Sequence, residues 1–289
     1  MTDSRPTYPP EHHLLRDLAV TTERVSPELT ICSSPLVPAI AHASGRPRVG
    51  ALAAIIDLAG AATALSSVRP DWIATADLSF TSSEPVLEGP IVVAAHLVRA
   101  GTNVVVVRVD VGDGRGSDDV ATMRPAGRGL MTFARIPGSA SAASARVVPA
   151  TSPKQSMALA KSGFRLPLFA QLGIRVLDAA RGAVEVDRTD YTRNSFGSLN
   201  GGVVAIAADA AAEALVGAMG QPFEGVDISV NYLSQTRSGP GRTAATLLRY
   251  DAHHAVVEVR LVDAGHHDQL LALSTVLLQP RSAEGRSGP

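Results

Sequence analysis

VGALAAIIDLAGAATALSS at positions 49–67 and GGVVAIAADAAAEALVGAM at positions 201–219 are the two stretches that decide the fold. Each is small and apolar almost throughout, and each carries an aspartate near its middle, Asp57 and Asp209, 152 positions apart. A helix that is apolar all round must be enclosed on most sides, so both read as buried helices. The residues around them repeat in the same order. Ala76-Asp77-Leu78-Ser79 matches Val226-Asp227-Ile228-Ser229 at an offset of 150, and that offset also aligns Gly89-Pro90 with Gly239-Pro240 and Val106-Val107 with Val256-Val257. Leu130-Met131-Thr132 matches Leu273-Ser274-Thr275 at an offset of 143. The first copy therefore carries about seven extra residues, assigned to a surface-loop insertion in the polar stretch Gly112 to Arg128. Order kept over about 90 residues marks an internal duplication.

Each copy predicts a short opening helix (10–18 and 165–172), two strands (19–34 and 173–190) and the long helix. Four further strands close each copy, at 72–82, 90–99, 103–111 and 129–136, then at 225–234, 242–250, 254–263 and 269–279. The valine-rich run Asn103 to Val111 and the alternation in Ala255 to Val262 favour strands over helices. One helix followed by a four-stranded meander is α+β, the helix lying on the sheet. The expected organisation is a first domain at 1–138, a linker at 139–156 rich in Ser and Ala with Pro149 and Pro153, a second domain at 157–280 and a polar tail at 281–289. The two copies are expected to pair edge to edge into one continuous antiparallel sheet, with both long helices on one face.

The bulk composition narrows the function classes. Of 289 residues, 45% are hydrophobic and 18% charged, a globular balance, and the net charge of −1 gives no sign of a nucleic-acid or anionic-membrane partner. The single Cys32 excludes an intramolecular disulfide and reads as a buried strand thiol, which fits a reducing cytoplasm. Residues 1–17 are polar with no apolar core of a signal peptide, so a cytoplasmic location is expected. The run Val49 to Val68 has the length of a membrane span. It holds Asp57, Thr63, Ser66, Ser67 and two glycines, and reads as a buried helix instead.

Asp57 is the only charged residue between Arg48 and Arg69. Burying a carboxylate there is costly unless it is paired, and burial raises its pKa towards a range useful for general base or acid work. Asp209 occupies the matching place, with Glu213 one turn on. Either aspartate could instead simply bond backbone groups or face a solvated seam. The segment from Tyr191 to Gly202 adds a second element: a loop rich in turn formers that delivers Gly201 and Gly202 to the start of the second long helix. A helix N-terminus exposes unpaired N–H groups that stabilise an oxygen gaining negative charge, and glycine lets a substrate approach. Asn194 and Asn200 each offer a side-chain N–H. The plainer reading is an N-cap, with Asn200 as the capping residue.

Asn194, then Asn200-Gly201-Gly202 six residues on, then Asp209 within Ala-Ala-Asp, resembles the signature of the PaaI-like acyl-CoA thioesterases of the hotdog superfamily. The resemblance covers about Phe164 to Pro280, whereas the first copy matches in its helix aspartate and its strands. It implies a tandem (double) hotdog that hydrolyses an acyl-thioester, acyl-CoA first among them, with coenzyme A as part of the substrate and neither metal nor cofactor. It further implies a helix aspartate as base or nucleophile, the Gly201 N–H as oxyanion hole, Asn194 positioning the attacking water, and a homo-oligomer. Gly202, Ser195, Arg193 and Arg237 are the expected substrate contacts. Asn200 stands where the family usually has His, and it keeps a donor but does not titrate.

Spacing adds one constraint of its own. Asp209 lies eight residues past Gly201, about 12 Å along a helix at 1.5 Å per residue. Base and oxyanion donor must both come within about 3 Å of the reacting group, so neither copy supplies both. Two composite sites follow: Asp57 with Asn194, Asn200 and Gly201, and Asp209 with His42, Arg48, Val49 and Gly50. The second lacks Asn-Gly, so the Asp57 site is expected to be the competent one. A hotdog hydratase or dehydratase is a rival, though His42 is the only histidine near a helix start, and a non-catalytic acyl-binding protein is another. His12-His13, His253-His254 and His266-His267 are adjacent pairs, whose rings on a strand would point to opposite faces, and Gly112-Asp113-Gly114-Arg115-Gly116 reads as a turn.

Overall fold

Both apolar runs are helices in the computed structural model, which describes residues 8–138 and 150–281. The first half runs α1 (Leu14–Asp17), β1 (Thr21–Ser26), β2 (Leu29–Ser34), α2 (Val49–Val68), β3 (Trp72–Ser82), β4 (Ile91–Ala100), β5 (Val104–Asp113) and β6 (Arg124–Ile136). After β7 (Ser152–Ser156), the second half repeats the order with α3 (Leu168–Gln171), β8 (Arg175–Asp178), β9 (Ala183–Val186) and α4 (Gly201–Gly217). It closes with β10 (Phe223–Tyr232), β11 (Gly241–Tyr250), β12 (Ala255–Asp263) and β13 (Gln269–Pro280).

The thirteen strands form one sheet in the order β7-β1-β2-β4-β5-β6-β3-β10-β13-β12-β11-β9-β8. The halves join where β3 pairs antiparallel with β10, and Ser79 faces Ser229, its own counterpart in the repeat. Phe80 opposite Ile228 and Asp77 opposite Asn231 extend the same register, so an approximate two-fold axis passes through the serine pair. Both long helices lie on one face of this sheet and pack against each other. The contact is close because glycine lies at the crossing from each side. A Cβ built on Gly50 would stand 2.7 Å from the Ile206 Cα, and one on Gly202 would stand 2.6 Å from the Ala54 Cα. By length and composition α2 is apolar enough to cross a membrane, yet 67% of that stretch is buried inside the molecule. Ile55, Ile56 and Ile206 join Leu78, Met131, Phe133 and Leu278 in a single core beneath the helix pair.

Two details differ from expectation. Within the expected linker, residues 139–149 lie outside the described residues, but Ser152–Ser156 is an edge strand, pairing Thr21 with Ser156 and Thr22 with Gln155. An exposed strand such as β1 presents a row of unpaired backbone groups, and the chain leaving the first half covers them. The strands flanking the insertion are longer than expected, since β5 reaches Asp113 and β6 begins at Arg124, and the extra residues fall between them, inside the stretch from Gly112 to Arg128. Asp113 is fully buried and accepts the N–H groups of Leu87, Glu88 and Gly89. Its counterpart Asp263, 150 positions on, does the same for Arg237, Ser238 and Gly239. A carboxylate here satisfies backbone donors of a turn that has no other acceptors.

The N-terminal segment crosses to the opposite half. Leu14 donates its N–H to the Tyr191 carbonyl, and Asp17 accepts from the Tyr191 hydroxyl at 2.8 Å and from Gln171 Nε2 at 3.1 Å. The loop leading to α4 is thereby tied to the start of the chain.

The crossing gives a stability expectation. Gly202→Ala should destabilise the protein by about 1–3 kcal/mol, because a methyl group there separates two backbones. Gly217→Ala is the control: no atom lies within 4 Å of that added Cβ. It should be neutral or stabilising by up to about 1 kcal/mol through helix propensity. Urea unfolding of the two variants makes the comparison, and equal midpoints would discard the crossing as a constraint.

Candidate active site

Asn200 caps α4, its Oδ1 accepting the Gly202 N–H at 2.9 Å. That leaves the Gly201 N–H, one residue earlier, without an acceptor among the described residues. Opposite it stands Asp57 from the middle of α2, brought there by the helix crossing. A Cβ on Gly201 would lie 2.7 Å from Asp57 Oδ2, so no other residue type fits without displacing the carboxylate. Thr75 Oγ1 donates to Asp57 Oδ1 at 2.9 Å. Burial pushes Asp57 up to about 6, against the opposing effect of that Thr75 hydrogen bond. From β10, the buried Tyr232 hydroxyl donates to the Gly201 carbonyl at 3.0 Å and fixes the first turn of α4. A carboxylate able to accept a proton near neutrality thus faces an uncommitted N–H donor at the positive end of a helix.

The loop before α4 is organised by Asn194. Its Oδ1 accepts the N–H groups of Phe196 at 2.9 Å and Ser198 at 3.1 Å, so its oxygen is committed to the loop. The loop sets Phe196 edge-on to Trp72 at 5.2 Å between ring centroids, joining the two halves beside the site. Ser195 is exposed on the same loop. Arg193 is paired with Asp190 at 3.0 Å, and Gly202 packs against Ala54 with its N–H occupied, so neither presents a free group to Asp57. Arg237 lines a surface cavity of about 510 Å³ with Arg188, Phe196 and Gly197. Of the expected site residues, the fold gathers Asp57, Asn200 and Gly201, and sends Asp209 elsewhere.

Asp209 lies across the approximate two-fold axis, and its surroundings differ at each matched position. Arg48 replaces Asn200 and makes no cap, so the Gly50 N–H turns to Asp209 Oδ2 at 3.1 Å. Gly225 replaces Thr75, and Asp209 Oδ1 is buried without a hydrogen-bond partner among the described residues. Arg48 fills the space, its Nη1 donating to both Glu213 oxygens at 2.9 and 2.7 Å while its guanidinium lies 4.2 Å from the Phe169 ring centre. Burial raises both Asp209 and Glu213, and the Asp209 charge raises Glu213 further. His42 is buried 3.5 Å from Glu213, and desolvation with Arg48, Arg281 and Arg46 around it holds it down to about 3, hence neutral. At this centre the Gly50 N–H, counterpart of the Gly202 N–H that Asn200 caps, is bonded to the aspartate itself.

Three side chains around Asp57 carry no motif. Thr75 borders the repeated Ala-Asp block and differs from Gly225 at the matching place, which is its one sequence signal. Tyr232 lies three residues beyond the second block, and Tyr8 precedes all repeated sequence.

A family model described as the thioesterase superfamily matches the chain twice, over residues 49–118 and 196–268. These segments hold Asp57 with α2 and the Phe196–Asp209 loop and helix. Among solved structures, a hot dog fold protein of unknown function from Alicyclobacillus acidocaldarius is similar, with a TM-score of 0.59 and 15% identity over 94% of this chain and 99% of that one. The tesB protein of Mycobacterium avium subspecies paratuberculosis has a TM-score of 0.56 at 14% identity, covering 90% of this chain and 95% of its own. An acyl-ACP thioesterase from Bacteroides thetaiotaomicron has a TM-score of 0.54 at 10% identity, covering 87% and 98%. No curated protein matches the sequence. The fold is a double hotdog, with the family model matched once in each half, and the chain belongs to the thioesterase superfamily.

Proposed function

We propose that the protein hydrolyses an acyl-thioester, with acyl-CoA as the substrate, at the single centre formed by Asp57 and the N-terminus of α4. Superfamily membership supports thioester hydrolysis in general. The observation that carries the assignment to this centre is the Asp57 carboxylate set against Gly201, whose N–H has no acceptor among the described residues. Asp57 takes a proton from water as the water oxygen bonds to the acyl carbon, and the carbonyl electron pair moves onto oxygen, facing the Gly201 N–H. When that pair returns, the C–S bond breaks and the thiolate leaves with the proton from Asp57. The products are a carboxylic acid and a free thiol. An oxyanion donor of this kind contributes on the order of 10²–10³ in rate where one has been removed in other enzymes.

A coenzyme A ester is favoured by the cavity between the Phe196 loop and the Ser234–Arg237 turn, where Arg188 and Arg237 offer positive charge suited to phosphates. Carrier-protein esters, lacking the adenosine phosphates, are the alternative. Arg237→Ala tests this contact, since the Arg237 backbone N–H keeps its bond to Asp263. KM for an acyl-CoA should rise several-fold, while KM for the matching N-acetylcysteamine ester should not change.

The deciding measurement is release of free thiol from a panel of acyl-CoAs. Asp57→Asn should lower kcat at least about 100-fold, consistent with loss of a general base, and Asp209→Asn should stay within about three-fold of the parent. Equal loss from both would mean two working centres. No thiol release from the parent would leave an acyl-binding protein. Asp57 must be ionised to act, so kcat/KM should rise with pH through about 6 and level off above it. Stability has the opposite sign. The folded-state pKa is raised above its unfolded value, so the ionised buried carboxylate weakens the fold as pH rises through about 6. Asp57→Asn should therefore melt at higher temperature than the parent at pH 8, with little difference at pH 4.

A further inference from the structure

The N-terminal segment places one more polar group beside Asn200, the cap of α4. Tyr8 is 40% exposed along its ring, but its hydroxyl turns inward and accepts from Asn200 Nδ2 at 3.2 Å. The Asn200 amide is held at both ends, since its Oδ1 accepts from Gly202. On its other side the Tyr8 oxygen lies 3.4 Å from His13 Nε2. That histidine is fully buried, and its protonation is fixed by its neighbours. Nδ1 accepts the Leu15 N–H at 3.1 Å, so Nε2 carries the hydrogen, which it donates to the Arg193 carbonyl at 2.9 Å. His13 Nε2 therefore offers no acceptor to Tyr8. The Tyr8 oxygen is approached by two donors, and its own hydrogen has no acceptor among the described residues.

We propose that Tyr8 is a catalytic residue of the Asp57 centre, donating its O–H to the acyl carbonyl oxygen as a second donor beside the Gly201 N–H. The inference rests on the reading of Asp57 given above. The Asn200 side chain links the two donors: it caps the helix that carries Gly201 and holds the tyrosine oxygen next to that cap. Burial, together with the nearby Asp57 charge, pushes the Tyr8 hydroxyl up to about 12, so the group keeps its hydrogen across the working pH range. No proton leaves Tyr8 in this role. It strengthens a hydrogen bond as the carbonyl becomes an oxyanion, and the proton inventory of the Asp57 reaction is unchanged. Because α1 docks on the Tyr191 loop of the other half, Tyr8 reaches this centre and has no counterpart at Asp209 among the described residues.

The test separates a donor to the carbonyl from a merely structural tyrosine. Two unreactive acyl-CoA analogues are titrated calorimetrically: a ketone in which CH2 replaces sulfur and the carbonyl remains, and a thioether that keeps sulfur but lacks the carbonyl oxygen. Tyr8→Phe should weaken ketone binding about ten-fold, as for loss of one hydrogen bond of about 1.4 kcal/mol, and leave thioether binding within two-fold. It should also lower kcat on the order of ten- to a hundred-fold, raise KM by no more than the ten-fold seen with the ketone, and keep the melting temperature. Loss of affinity for both analogues together, or for neither, overturns the role of Tyr8. Should the parent release no thiol yet bind the ketone in a Tyr8-dependent way, the hydrolysis reading fails and the carbonyl contact stands. If instead Asp57→Asn abolishes turnover while Tyr8→Phe does not lower kcat, hydrolysis stands and Tyr8 is excluded. Replacing Tyr8 with 3-fluorotyrosine, a stronger donor of nearly the same shape, should tighten ketone binding, and unchanged binding would count against the donor role.

Discussion

The close crossing of α2 and α4 governs the placement of the site. With glycine at 50 and 202, the helices meet nearly backbone to backbone, and each presents its N-terminus to the middle of the other. Eight residues separate the start of α4 from Asp209, so a helix cannot fold its own aspartate back onto its own N-terminus. The crossing solves this by exchange: Asp57 meets Gly201, and Asp209 meets Gly50. The Ser79–Ser229 register sets the two halves of the sheet about the same axis as the helices, and the core beneath is continuous across the join. Widening the crossing by one methyl group would move both aspartates away from the donors they face.

The two centres then show how little it takes to separate a reactive carboxylate from a structural one. Both aspartates are raised by burial to a similar degree, so desolvation alone does not distinguish them. What differs is the fate of the helix-terminal N–H. Asn200 has an acceptor oxygen of the right length to cap Gly202, which keeps Asp57 from being drawn onto the backbone. Arg48 has only donors, so the free N–H of Gly50 bonds to Asp209. The guanidinium then turns to Glu213, a residue whose counterpart in the first half is Ala61. One change of capping residue thus propagates into an ion pair over Phe169 and a closed second centre.

Much of this was legible in the sequence, for reasons that can be traced. The duplication, the α+β order and the continuous sheet followed from matched blocks and from two helices too apolar to be exposed. That each site must be composite followed from helical rise alone, and the fold brings together the pairs that this arithmetic requires. What escaped was whatever depends on contacts between distant segments. The edge strand Ser152–Ser156 has a linker's composition and acquires its conformation only from the open edge of β1. Asn194 was expected to offer its side-chain N–H to the reaction; that its oxygen also holds the loop, through two N–H groups within four residues of it, is a local bond that sequence spacing does not reveal. Tyr8 lies 192 positions from Asn200, and no periodicity or motif connects them.

Fusion of the halves explains why such asymmetry is possible at all. In a symmetric pair of identical chains, any substitution falls on both centres at once, so replacing Asn200 with Arg would close the two together. Within one chain the copies vary separately. The second centre can exchange a cap for an ion pair and a threonine for a glycine while the first keeps its donor open. The N-terminal segment uses the same freedom, since its described residues cross onto the second half and reach the Asp57 centre. A buried, partly unsatisfied Asp209 is then tolerable because its remaining oxygen bonds Gly50 and so ties the start of α2 to the middle of α4. The same carboxylate in the same fold has become part of the helix crossing on which the other centre depends.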